Sequence, residues 1–245
     1  MVRALDIKYA KHMVELLYPR MIEKAAVKTA LNAAITEFGQ ETQAGKAPDT
    51  WADYADAKAF ALEVQADATA NQAKVNTARV ELMKAHRNLK NQYLIPATDA
   101  TTIVDSRQMF VYGLSEGLTN LDDYFAAMPI GLTYAIEKYS GNSIGTGSYV
   151  RVSTVTGSGM EQVALYTVII YGDVNGDGYI DDADIDVLDA YIAGTDTAKF
   201  FVGGPFFTAA DLNGDGKIDS ADKQILQDHL DFVADIDQRG PGYAS

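Results

Sequence analysis

The stretch that decides the fold occurs twice in this chain. DVNGDGYIDDAD spans Asp173–Asp184, and DLNGDGKIDSAD spans Asp211–Asp222. Both copies place an oxygen-bearing side chain at positions 1, 3, 5, 9 and 12 and a glycine at position 6. That glycine permits a sharp turn in the middle of the loop. Alternate side chains on so tight a loop can converge on one point, so the repeat predicts two oxygen-lined sites.

Calcium is the ion that this donor set fits, because Ca²⁺ takes six to eight hard oxygen ligands in loops of this pattern. We predict two bound Ca²⁺ ions. Backbone carbonyls supply position 7 and a water mediates position 9. The first predicted set is Asp173, Asn175, Asp177, Tyr179, Asp181 and Asp184, and the second is Asp211, Asn213, Asp215, Lys217, Asp219 and Asp222. The alternative, two solvated acidic turns, leaves the repeated glycine, the isoleucine at position 8 and the aspartate at position 12 unexplained.

The negative charge of the chain is concentrated around these loops. The formal net charge is −14 over 245 residues, which argues against a nucleic-acid partner because phosphates would repel the chain. From Gly172 onward there are sixteen aspartates, no glutamate and four basic residues. Without a cation these carboxylates repel one another, so we expect the C-terminal region to need the metal to fold.

The cysteine content and the apolar runs of the chain bear on the compartment in which it works. There is no cysteine, and hence no disulfide, which suits the cytosol and equally export from an anaerobic bacterium. No apolar run approaches membrane-spanning length, so no membrane insertion is expected. Val2–Arg20 is charged throughout and lacks the apolar core of a signal peptide. The chain is therefore expected to be either cytosolic or a fragment of an exported protein.

The period of apolar residues predicts a multidomain α+β chain. Residues 1–20 read as a leading helix or the remnant of a preceding module. Residues 21–93 read as an N-terminal helical bundle of three helices, the second capped by Thr50 and the third preceded by a capping box at Thr69–Gln72. Residues 98–171 contain several β-rich runs. They predict a central small antiparallel β-module, with one or two helical turns at Thr119–Ala127. Residues 172–245 read as an all-α calcium-binding domain with a tail.

The helical segment resembles a FIVAR module. The resemblance rests on LNAAITEF at Leu31–Phe38 and on APDTWADYADAKAFALEVQADATANQAKVNTARVELMKAHRNL at Ala47–Leu89. The shared features are the Thr-Trp helix start, the alanine-rich second helix and the T-x-x-Q-x-x-V opening of the third. The resemblance implies a secreted or cell-surface protein, with either a glycan-binding or a spacer role for this module. Trp51, the single tryptophan, is expected to anchor the bundle core.

The C-terminal segment resembles a type I dockerin. GDVNGDGYIDDADIDVLDAYIAG and AADLNGDGKIDSADKQILQDHLDF match dockerin repeats at every ligand position, and the first loop follows a β-strand instead of an entry helix. A short middle helix near Phe207–Ala210 would suit the family. The resemblance implies that a cohesin module on a scaffold protein is the partner. It also implies that the chain anchors its parent protein in a multi-enzyme, cellulosome-type complex that degrades polysaccharides.

The same resemblance assigns partner choice to loop positions 10 and 11 and helix positions 17 and 18. The implied contacts are Asp182, Ala183, Asp189 and Ala190 in the first repeat and Ser220, Ala221, Gln227 and Asp228 in the second. Because these sets differ in charge and size, we expect one dominant binding orientation. The free chain is expected to be a monomer. Dockerins often clasp their two ends together, and Tyr171 with Tyr243 would suit such a clasp. A disordered tail is the alternative.

Two other classes of function are weighed against docking. An enzyme is not expected, because His12, His86 and His229 lie far apart on helical patterns and no nucleophile, zinc or phosphate motif occurs. Carbohydrate-binding or spacer modules with a purely structural calcium domain are the alternative. A calcium sensor would expose apolar surface on binding metal, whereas aspartate at position 12 and the missing entry helix favour a structural role for the ion.

Overall fold

The computed structural model describes residues 26–242, which form two compact units divided between Leu89 and Lys90. The predicted leading segment 1–20, His12 and Tyr243 lie outside the described residues. No helix of the described range is long and apolar enough to cross a membrane.

Within residues 26–89, the first unit contains three helices: α1 (Thr29–Phe38), α2 (Pro48–Ala66) and α3 (Gln72–Asn88). Their inward faces bury one apolar cluster, as the 3.6-residue spacing predicts. Trp51 is half-buried against this cluster, with its ring centroid 5.2 Å from that of Tyr54. The buried members are Leu31, Tyr54, Ala61, Val64, Ala70, Val75, Ala78 and Leu82. The assignment of this unit to the FIVAR family stays a prediction.

Both predicted helix caps in this unit were placed wrongly. Helix α2 begins at Pro48 and Ala47 is its N-cap, because the fixed φ of proline suits the first helical position. The Thr50 hydroxyl instead donates to the Ala47 carbonyl from inside the first turn. At α3 the cap is Asn71, whose side-chain oxygen accepts from the Lys74 amide.

The second unit contains a five-stranded sheet in the order β1-β2-β5-β4-β3. The strands are β1 (Ile103–Asp105), β2 (Phe110–Tyr112), β3 (Leu132–Glu137), β4 (Tyr149–Thr156) and β5 (Gly159–Val168). The prediction of a purely antiparallel module is wrong, because β2 pairs with β5 in parallel and the sheet is mixed. The predicted helical turn at 119–127 is an irregular segment with a short turn.

Three helices follow the sheet: α4 (Asp182–Ile192), α5 (Pro205–Ala210) and α6 (Ser220–Leu230). Helix α5 is the short middle helix that the family resemblance implies, and it begins two residues earlier than predicted.

One apolar cluster runs through both the sheet and these helices. Val150 and Val168 of the sheet share it with Leu188, Phe206 and Leu226 of the helical part. The predicted boundary at residues 171 and 172 therefore divides a continuous core, and the division into separate modules stays a prediction.

Candidate functional site: the paired aspartate loops

The two predicted loops are preceded by different secondary-structure elements. The first begins at Asp173, five residues after β5 ends at Val168, and leads into α4. The second begins at Asp211, directly after α5, and leads into α6. Each loop thus delivers its last ligand position into the first turn of a helix.

The aspartate at position 1 of the first loop accepts hydrogen bonds from backbone amides. The Asp173 carboxylate accepts hydrogen bonds from Gly176 at 2.7 Å, Gly178 at 3.1 Å and Thr146 at 2.8 Å. Gly178 has a φ of +89°, a conformation that L side chains rarely adopt, so position 6 requires glycine. The asparagine and aspartate at positions 3 and 5 each accept from the amide two residues ahead, at 2.7 and 2.9 Å.

The aspartate at position 12 closes each loop. Asp184 accepts from the amides of Val174 and Asn175 at 2.8 and 2.9 Å through one oxygen, and from Asp181 at 3.0 Å through the other. Asp181 in turn caps α4 by accepting from the Ala183 amide, which completes a capping box.

The second loop repeats this arrangement. Asp222 accepts from Leu212, Asn213 and Asp219 at 2.9, 3.2 and 2.9 Å, and Asp219 caps α6. The carboxylate of Asp211 accepts from the amides at positions 5 and 6, at 3.1 and 3.0 Å. The sequence repeat is therefore also a structural repeat.

Three of these carboxylates are fully buried: Asp173, Asp184 and Asp222. Burial raises the pKa of Asp173 to about 6 and that of Asp184 to about 7, against the lowering effect of the amides that they accept from. Burial also raises the pKa of Asp222. Within residues 26–242, none of the three forms an ion pair with a basic side chain. Buried carboxylates without a counter-ion are the electrostatic condition that a bound cation would relieve.

Lys199 is the basic residue whose charge acts on the first loop. Its ammonium lies 5.4 Å from the centroid of the Phe200 ring and 4.9 Å from that of Phe206. Burial lowers the pKa of Lys199, while Asp196, Asp184 and Asp173 raise it. A half-buried ammonium therefore balances only part of the negative charge of the first loop.

The donor set fits calcium by its chemistry. It consists of carboxylate, amide and carbonyl oxygens, which are hard ligands of the kind that Ca²⁺ prefers. No group of three or more Asp, Glu, His or Cys side chains meets metal-site geometry by itself in the described part of the chain. The predicted set also relies on asparagine and a backbone carbonyl, which are not among these side chains. The twelve ligand residues and the number of two ions stay predictions.

The eight predicted partner residues all lie on α4 and α6, which pack against each other. Asp182, Ala183, Asp189, Ser220 and Ala221 are exposed, and Ala190, Gln227 and Asp228 are half-buried. The predicted set misses Lys223, whose ammonium lies 2.6 Å from both carboxylate oxygens of Asp189. No pattern within one repeat shows this contact, because it joins the two repeats.

The C-terminal tail contacts the start of the calcium region through Gln238. Its side-chain amide makes two hydrogen bonds to the backbone of Tyr171. The backbone carbonyl of Gln238 accepts from the Gly113 amide at 2.7 Å. The predicted clasp partner of Tyr171 was Tyr243, which lies outside the described residues. A clasp through Gln238 was not predicted, because a single glutamine in a polar tail carries no sequence signal.

Residues 26–89 of the helical unit present no exposed aromatic side chain on which a sugar ring could stack. Its aromatic side chains in residues 26–89 are buried or half-buried, and its exposed large apolar residues are Val27, Leu62 and Val80. Sugar stacking needs exposed rings on one face, so the glycan-binding role stays a prediction without structural support here.

Comparison with known proteins identifies one region. Residues 171–231 match the family model of the dockerin type I domain, which supports the predicted C-terminal dockerin. No curated protein and no solved structure matches the chain.

Proposed function

We propose that this chain is a non-catalytic docking protein whose C-terminal region binds a cohesin module in a calcium-dependent manner. Dockerin type I domains bind cohesins in general, and the match over residues 171–231 places this chain's two loops within such a domain. The docking would anchor the parent protein in a secreted or cell-surface complex that degrades polysaccharides. The observation that carries the proposal is the duplicated loop and helix, each closed by the same aspartate bonds.

The loop residues prepare the docking face by fixing where α4 and α6 begin. Asp184 and Asp222 tie the start of each loop to the first turn of its helix. Bound calcium would neutralise the buried carboxylates and hold the loops closed. The two helices pack against each other and contribute Leu188 and Leu226 to the common core, with Ile185 and Ile225 packed against it.

The exposed helix faces support a single orientation on the partner. The first repeat presents Asp182 and Asp189 where the second presents Ser220 and Gln227. Asp189 is also held by Lys223, whereas the equivalent of Lys223 in the first repeat is Ile185. A cohesin surface that suits one arrangement of charge therefore does not suit the arrangement produced by exchanging the two repeats.

The test is retention of the intact chain by a panel of cohesin modules, in calcium and in chelator. We expect binding to at least one cohesin in calcium, loss of binding in chelator, and loss in a variant carrying Asp173→Ala and Asp211→Ala. Asp123→Ala, at an exposed aspartate of the β-rich region, is the matched control and should bind normally. A chain that circular dichroism shows to be folded in calcium, yet that binds no cohesin, would refute the proposal.

A further inference from the structure

The two aspartate loops have unequal surroundings. In the first loop Asp173 and Gly178 are buried, whereas their equivalents in the second loop are half-buried at Asp211 and exposed at Gly216. A Cβ added at Gly216 would meet nothing within 4 Å, whereas one added at Gly178 would lie 2.7 Å from the Ile144 carbonyl oxygen. The ligand pattern is the same in both loops, so the difference comes from what covers them.

A segment between β3 and β4, residues 143–146, covers the first loop. The Thr146 amide donates to Asp173 at 2.8 Å, and this donor comes from outside the loop. Thr146 is fully buried, and its hydroxyl lies 3.1 Å from both the amide nitrogen and the carbonyl oxygen of Ile170. Thr146 is therefore held in place by contacts to Ile170, which lies outside the loop.

Gly145 shows how closely this segment lies on the loop. A Cβ at Gly145 would come within 2.4 Å of the Gly178 nitrogen, 2.6 Å of an Asp173 carboxylate oxygen and 2.7 Å of the Gly176 carbonyl oxygen. Real Cβ atoms do not approach backbone this closely, so an alanine there must displace the loop. The φ of Gly145 lies outside the left-handed range, so the steric contact is the reason for glycine.

A second segment, between β2 and β3, supports the other side of the first loop. The Gly117 amide donates to the Gly178 carbonyl at 2.7 Å, and the Glu116 carboxylate accepts from the Ile180 amide at 2.9 Å. The two supporting segments are joined to each other by the Ile144 amide, which donates to the Leu118 carbonyl at 2.6 Å.

The second loop relies on its own residues. Asp211 accepts from Asp215 and Gly216 within the loop. The described residue outside the loop that comes close to its glycines is Pro241, which lies 2.9 Å from a Cβ added at Gly214. Pro241 has no amide hydrogen to donate, so this contact is not an equivalent of the one that Thr146 makes.

We propose that the β-rich region is a structural part of the first calcium site, with Glu116 and Thr146 as positioning residues, and that the two sites bind calcium unequally. This inference rests on the proposed calcium-dependent function. A loop that is already ordered loses less conformational freedom on binding, so the first site should bind more tightly. Partners outside the ligand shell typically change metal affinity by about 10- to 100-fold when removed.

The test is calcium titration of the intact chain by calorimetry, with Asp177→Asn and Asp215→Asn assigning the two sites. Terbium luminescence excited through tyrosine gives a second readout of the first loop, because Tyr179 occupies position 7 there and Lys217 does in the second. The test variants are Gly145→Ala and Glu116→Ala. Gly157→Ala, where an added Cβ meets nothing within 4 Å, and Glu161→Ala, at an exposed glutamate, are the matched controls.

We expect the first site to be the tighter one in the unaltered chain. Gly145→Ala and Glu116→Ala should weaken it by about 10-fold or more and leave the second site unchanged. Glu116→Gln, which keeps the acceptor oxygen, should bind almost normally. If Gly145→Ala does not fold, Glu116→Ala decides alone, because its side chain is exposed.

Equal affinities at the two loops would overturn the inference, as would variants that change neither site or weaken both alike. A chain that binds calcium and a cohesin but has equal sites refutes this inference alone. A chain that binds no calcium refutes the proposed function as well.

Discussion

Gln238 and Tyr171 are joined by two hydrogen bonds of 2.8 Å that run in opposite senses. The Gln238 side-chain oxygen accepts from the Tyr171 amide, and its nitrogen donates to the Tyr171 carbonyl. Tyr171 lies two residues before the first aspartate loop, and its ring is edge-on to that of Tyr112, with centroids 6.1 Å apart. The tail is thereby bonded to the segment that joins β5 to the first loop.

Gln238→Ala should therefore destabilise the second unit. Two hydrogen bonds to the backbone of the buried Tyr171 are lost, which at about 1 kcal/mol each predicts a loss of about 2 kcal/mol. Chemical denaturation in calcium, followed by far-ultraviolet circular dichroism, measures this change. Gln238→Glu is the sharper variant, because a second acceptor would face the Tyr171 carbonyl, and it should destabilise at least as much. Equal stability of all three proteins would show that the tail contact is unimportant.

Calcium removal should loosen the second unit and leave the first intact. The three buried carboxylates then have no bound cation, and Lys199 balances only part of the charge of the first loop, whereas the helical unit contains none of the predicted ligands. Trp51 is the only tryptophan and lies in the helical unit, so its emission reports on that unit alone. We expect chelator to leave Trp51 emission unchanged while the circular dichroism signal falls.

A fluorescent dye that binds exposed apolar surface separates this expectation from a calcium sensor. A chain that unfolds locally without calcium binds more dye in chelator, because the common core of the second unit opens. A sensor binds more dye in calcium. The second result would contradict the structural role proposed for the ion.

The sequence could predict what depends on local pattern. The inward faces of α2 and α3, the β-rich character of residues 98–171 and the two aspartate loops all follow from spacing within a short segment. The start of α2 was misjudged because Thr50 and Pro48 compete as helix-start signals only two residues apart. The parallel pairing of β2 with β5 could not be predicted, because it joins Phe110 to Thr167 across the whole β-rich region. The Thr146 donor is a backbone amide, and every residue except proline has one, so no residue type marks it.

Acid should destabilise the helical unit partly through Asp67. The Asp67 carboxylate accepts from the Thr69 hydroxyl at 2.7 Å and the Thr69 amide at 2.8 Å, with Lys74 at 3.4 Å. The Thr69 hydrogen bonds are the largest cause lowering its pKa, which falls from 3.8 to about 2. A carboxyl with a lowered folded pKa stabilises the fold above its unfolded pKa, and that contribution is lost as the pH falls from about 4 to about 2.

Thermal melts followed by Trp51 emission between pH 5 and pH 2 test this contribution. Asp67→Asn should show a smaller fall in melting temperature over that range than the unaltered chain. Asp56→Asn, at an exposed aspartate of α2, is the control and should follow the unaltered chain. Identical pH profiles for Asp67→Asn and the unaltered chain would contradict the assignment.

The orientation on the partner can be tested by exchanging side chains between the repeats. Asp182→Ser with Asp189→Gln makes the first repeat resemble the second, and Ser220→Asp with Gln227→Asp does the reverse. If one orientation dominates, one of these double variants should weaken cohesin binding by about 10-fold or more, since a few contacts supply most of the energy of such a face. The other should change it little. Lys223→Ala should cost the fold no more than about 1 kcal/mol, because the pair with Asp189 is largely exposed, yet it frees Asp189 to move. Calorimetry with one cohesin measures the binding affinity of all three variants. Equal affinities for both double variants would refute a single orientation.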